Sequence, residues 1–267
     1  MGFFTEEDVS RIQNLRSTIR GRYESLMIHY TQAPFAHPKA RELADQGFSR
    51  RLQTLVRCVD NVFRIIPPTT TEIRPSADSR RDCAINLQAF ISNVFGCMDN
   101  LALVWVHERG IRRPNGKEIG PLRIGLGAKS EDVRNSLSEE FRTYLEGEGM
   151  VKWFTYLEGY RHALAHRVPL YVPGAKLNVA ESKRYRALKK QIDEAAQRHD
   201  FDEHDRRNEE QDLLGTFVPV MKHSYEEDSP EVPFHEQILM DFLNIDELGK
   251  RMVKELKRPD RKRPARL

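Results

Sequence analysis

The sequence predicts an all-α protein: an antiparallel helical bundle with a charged helical insertion, a short two-stranded β element and a C-terminal helix. Three observations lead there. Apolar residues recur at helical spacing over long stretches, above all Leu87, Phe90, Ile91, Val94, Met98, Leu101 and Trp105. Helix-ending residues, Pro67-Pro68, Gly110 and Pro169, stand between those stretches. The β-prone pieces are two short ones, Leu170-Tyr171-Val172 and Phe217-Val218-Pro219-Val220.

Taken in order, residues 1–35 are expected to hold a first helix. Thr5 is its N-cap, and Glu6, Glu7 and Asp8 lie on its positive end. Residues 36–170 are expected to form the bundle. A second helix starts at Pro38, a residue suited to a first turn, and carries Leu52, Leu55, Val56, Val59, Val62, Phe63 and Ile66 inward. A third runs from Asp78 to Arg109, and Asn115-Gly116 marks a turn beyond it. Ser130 with Glu131 and Asp132 caps a fourth, extending to Glu146. After Gly147 and Gly149, Val151 to His166 give a fifth, with Trp153, Phe154, Leu157 and Leu164 facing in. Residues 171–233 form an insertion whose mixed charges between Glu181 and Asp212 read as solvated helices, tied down at the base by the β-prone pieces. Residues 234–257 give a last helix that packs on the bundle, and 258–267 a basic flexible tail.

Bulk properties narrow the function. A chain of 267 residues with 39% hydrophobic and 31% charged residues is long enough for a sizeable core and too charged for a membrane protein. Its 43 Lys and Arg against 40 Asp and Glu leave +3, which argues against general coating of nucleic acid but allows a local basic site. Cys58, Cys83 and Cys97 are odd in number and form no C-x-x-C pair, so a reducing cytoplasm is expected. No signal peptide or myristoylation pattern opens the chain, and the apolar run Leu101–Val106 is too short for a bilayer. No membrane contact is expected.

The segment Tyr160-Arg161-His162-Ala163-Leu164-Ala165-His166-Arg167-Val168-Pro169 carries the chemistry. Arg161 is a permanent cation that can grip phosphate oxygens through two hydrogen bonds. His166 titrates near neutrality and can take the proton of a ribose 2′-hydroxyl attacking the adjacent phosphorus. On an ideal helix the two differ by roughly 140° in direction. They can meet if the helix unwinds near His166, as Pro169 favours, or if a second copy supplies one of them. The same segment also fits a helix end where His166 caps carbonyls and Arg161 pairs with a carboxylate.

Arginine, a polar residue, three more positions and a histidine near the end of a helical bundle resemble the signature of the HEPN superfamily. Arg161, His162 and His166 occupy it, and the Leu87–Arg109 helix with Gly96, Asp99 and Asn100 looks like the partner helix of such domains. The resemblance covers mainly residues 36–170. It implies a homodimer with a composite site that cleaves RNA without metal or cofactor and leaves 2′,3′-cyclic phosphate ends. In that reading Arg161, His166 and His162 are catalytic, with Asp99 and Asn100 supporting them. It further implies a toxin or host-defence role, with a protein antitoxin or regulator as partner. The alternative it leaves is an inactive module that binds nucleotide, RNA or protein. Val168 stands where extended-motif toxins have tyrosine, so the modification role does not carry over to Tyr171.

Other patterns are weaker. His162 and His166 form H-x-x-x-H, but Ala163 stands where a zinc protease needs glutamate, and no metal is expected. Gly125-Leu126-Gly127-Ala128-Lys129-Ser130 lacks phosphate-loop spacing. His223 and His235 are expected in capping or surface roles.

Overall fold

The computed structural model describes residues 3–70, 74–224 and 230–259. The chain is all-α as expected. Its helices are α1 (Glu6–Thr31), α2 (Pro38–Glu42), α3 (Ser49–Ile65), α4 (Ala77–Arg109), α5 (Glu131–Arg134), α6 (Glu139–Glu146), α7 (Glu148–His166), α8 (Val179–Gln197), α9 (Phe201–Asp212) and α10 (Phe234–Leu256). Thr5 forms a capping box with Asp8, and Gly110 ends α4 in the left-handed conformation at φ 58°.

One core joins α1, α3, α4, α7 and α10. Every inward position expected on the long third helix is buried, as are Leu239, Phe242, Ile245, Leu248, Met252 and Leu256 of α10. Ile12, Ile19, Leu26 and Tyr30 put α1 into the same core. Tyr30 donates its hydroxyl proton to the Gly249 carbonyl (3.1 Å), where an added Cβ would meet Leu26 and Phe48 within 3.2 Å. Glycine thus lets α1 and α10 approach. By length and composition α4 could cross a membrane, which the six-residue apolar run did not reveal, but 61% of its most apolar window is buried inside the protein. Its side chains are those of a core helix.

Three helix boundaries differ from expectation. The second helix is broken by a π-helical segment, Leu43–Phe48, which re-phases α3 against α2. The fourth is split, because the buried carboxylate of Glu255 accepts the Ser138 N–H (3.1 Å) and hydroxyl (2.5 Å) and holds Ser138 as the cap of α6. Ser130 makes no side-chain cap. The fifth starts earlier, at Glu148, since only Gly147 interrupts it.

The insertion is a hairpin of α8 on α9, buried only along Leu188, Ile192 and Ala195 and linked across by Arg184–Glu210 and Gln211–Tyr185. Its base is tied by isolated bridges, Tyr171 to Lys222 and Lys176 to Thr216. The two-stranded element pairs Val220–Met221 (β1) with Val232–Pro233 (β2), a partner not expected from the sequence. Of the basic tail, Arg258 pairs with Glu255 and Glu140, and residues 260–267 lie outside the described residues.

His235 corrects a surface expectation. It is fully buried against Phe63, Phe4 and Phe234, with Nε2 2.6 Å from the Ile66 carbonyl. Burial holds its pKa down to about 4, so it is neutral in the folded chain. Unfolding releases it to an ordinary imidazole of pKa about 6.5. Its contribution is therefore complete above that value and is lost as pH falls from about 6.5 toward about 4, by roughly 3 kcal/mol. Urea unfolding at both ends of this window should show the loss, and His235→Phe should flatten it.

Candidate functional site

Arg161 lies on α7 facing a cleft of about 340 Å³, lined also by Arg51 of α3 and by Ser92, Phe95, Gly96 and Asp99 of α4. The α7 surface there continues through Leu164 and Ala165, three and four residues on, as a helical face requires. Arg161 is exposed, and its guanidinium stands over the Phe95 ring at 5.3 Å.

Arg51 is the cleft's second cation. Its Nε donates to Asn100 Oδ1 (3.0 Å) and a terminal nitrogen to Asn93 Oδ1 (3.1 Å). Two glycines make this possible. A Cβ on Gly96 would come within 2.3 Å of the Arg51 guanidinium, and one on Gly47 within 2.7 Å of Asn100 Nδ2. Gly47 belongs to the π-helical segment, so the irregular turn and the arginine's seat are neighbours in space.

Asp99 is half-buried between the two arginines. Burial raises its carboxyl pKa, and the charges of Arg161 and then Arg51 oppose that rise. Two guanidiniums facing one carboxylate leave the cleft positive, a field suited to a phosphate group. Asn100 does not orient Arg161 or His162 as expected. It lies one residue further round α4, is buried, and orients Arg51 instead.

The histidines stand apart from this cleft. His162 and His166 are exposed on the next face of α7 with ring centroids 5.8 Å apart. Glu158 continues that face and pairs with Lys129 (3.0 Å), a hydrogen bond that lowers its carboxyl pKa. Among the described residues no group of three possible metal ligands gathers. Unwinding does not unite His166 with Arg161, because α7 stays helical through His166 and Arg167 N–H still bonds to the Ala163 carbonyl (3.0 Å). Val168 and Pro169 act only beyond that point. Within one chain the cleft therefore gathers Arg51, Asp99 and Arg161, with the imidazoles beside it.

Sequence reading did not find Arg51 or Asn93. The available signal was Gly47 and Gly96, glycines inside helical patterns, which mark close approach of another group. His223, expected in a capping or surface role, packs its ring edge-on against Tyr160 at 4.8 Å. No family model matches the chain, and no curated protein or solved structure matches it.

Proposed function

We propose that this protein is a metal-independent endoribonuclease of HEPN type, acting in a reducing cytoplasm, with a site completed by a second copy of the chain. The observation that carries the reading is Arg161 at the mouth of a doubly cationic cleft, with two solvent-exposed imidazoles on the adjoining face of the same helix. Arg161 and Arg51 bind the non-bridging oxygens of the scissile phosphate. His166 of the other copy takes the 2′-hydroxyl proton, and the oxygen so freed attacks phosphorus and expels the 5′-oxygen. That leaving oxygen takes a proton from a protonated imidazole, for which His162 is the nearest candidate, and a 2′,3′-cyclic phosphate remains. The three cysteines, buried and unpaired, support the reducing compartment.

Incubating purified protein with RNA in EDTA tests the reaction. Cyclic-phosphate ends are expected, and His166→Ala should slow cleavage by about 10²–10⁴-fold. RNA left intact by folded wild-type protein would overturn it. A second reading has its own support: because the imidazoles do not line the cleft, Arg51 and Arg161 could serve a module that binds RNA or nucleotide without cleaving it. Binding that survives in His166→Ala, with no cleavage by the wild type, would select that module.

A further inference from the structure

Outside the cleft, the strongest unassigned feature is the outer face of α3. Arg50, Arg57 and Arg64 are all exposed and stand seven residues apart, so they form one stripe along the helix. Successive members drift by only about 20° on an α-helix, and the stripe is about 21 Å long. Arg64 donates to Asn61 (3.3 Å), while Arg50 and Arg57 have no carboxylate within ion-pair distance among the described residues. Asp60 is the lone acidic residue of α3, and it is approached by Arg16 (3.5 Å) and Arg20 (3.4 Å) of α1. On the opposite flank, one residue after Arg50, Arg51 enters the cleft.

The three exposed arginines give this face a local excess of positive charge in a chain whose net charge is only +3. Charge complementarity points to a ligand that is itself a row of regularly spaced anions. A polynucleotide backbone is such a ligand, and each arginine can meet it through two hydrogen bonds. A single strand fits better than a duplex, since the face is one convex helix that inserts into no groove.

We infer that the Arg50–Arg57–Arg64 face of α3 is a docking track for single-stranded RNA, which it delivers to the cleft at Arg51. This deepens the proposed nuclease reading and rests on it for the identity of the strand. The track holds phosphates and reads no bases, so it adds affinity without sequence preference.

Fluorescence anisotropy with a labelled single-stranded RNA tests the track at pH 8, between about 50 and about 200 mM salt. Replacing Arg50, Arg57 and Arg64 together by glutamine should lower the slope of log affinity against log salt by about 2, as expected for three lost single-strand phosphate contacts. Over that salt range the variant's affinity should vary about 15- to 20-fold less than the wild type's. A control triple on α8, Lys183→Gln, Arg186→Gln and Lys190→Gln, removes equal charge and should leave the slope unchanged. Equal slope changes in both triples, an unchanged slope in the α3 triple, or no RNA binding by the wild type would each overturn the track. Thermal melts confirm that both triples fold. His166→Ala separates the two readings: it should slow cleavage by about 10²–10⁴-fold and keep the wild-type slope, whereas a wild-type protein that binds along α3 without cleaving leaves the track standing and the reaction refuted.

Discussion

Mixing the Arg161→Ala chain with the His166→Ala chain is expected to restore RNA cleavage to about a quarter of the wild-type rate, although each variant alone is inactive. The number follows from two-fold symmetry. If each site takes its arginine from one copy and its histidine from the other, a mixed dimer holds one site lacking both groups and one intact site. Random exchange makes about half the dimers mixed, and half the sites in those are complete. If arginine and histidine of one chain worked together, no mixed dimer would hold a complete site and the mixture would stay silent. The geometry of α7 favours the first outcome, since it is helical through His166 and turns Arg161 and His166 to different faces. Initial rates after subunit exchange decide between the two, and a silent mixture whose exchange is verified by mass sets aside the shared site.

Asp241→Asn is expected to stabilise the protein by about 1–3 kcal/mol at pH 8 and by little or nothing at pH 4.5. Asp241 of α10 is fully buried beneath α7. Trp153 Nε1–H (2.7 Å) and Gln237 Nε2–H (2.8 Å) both donate to its Oδ1, while Oδ2 has no partner among the described residues. Burial raises the carboxyl pKa to about 7, more than those two hydrogen bonds lower it. In the unfolded chain the same group ionises near pH 4. Folding thus retains a proton that the unfolded chain has released, and stability falls as pH rises from about 4 to about 7. The full cost at higher pH is roughly 4 kcal/mol. Asparagine keeps the acceptor for Trp153 and Gln237 and removes the charge, at the cost of burying an amide N–H, about 1–3 kcal/mol where it finds no acceptor. Tyr156, whose buried hydroxyl is also without a partner among the described residues, lies in the same field, and Asp241 is the second cause of its raised pKa, after burial. Denaturant melts at both pH values should show a gain that appears only at the higher one. An equal destabilisation at both would mean that packing, not charge, dominates the position. Cleavage should be unaffected, because Asp241 does not line the cleft at Arg161.

The helices themselves were legible from local pattern. Periodicity placed the inward residues of α4, Thr5 and Gly110 marked the start of α1 and the end of α4, and the roughly 140° between Arg161 and His166 followed from helix geometry alone. Those features depend on neighbours within a turn or two, so a linear sequence carries them. Breaks with distant causes were not legible. Ser138 caps α6 because Glu255, far along the chain, supplies its carboxylate, and β1 finds its partner across residues outside the described ones.

The candidate site divides the same way. By itself the sequence determined a helical chain with an arginine and two histidines at the end of one helix. Only the tertiary structure decided that Arg51 joins Arg161, that Asn100 serves Arg51, and that His235 and Asp241 are buried rather than exposed. Each of these depends on which helix faces meet, and that choice belongs to the packing of the whole core. Periodicity says that a face is buried; it does not say against what.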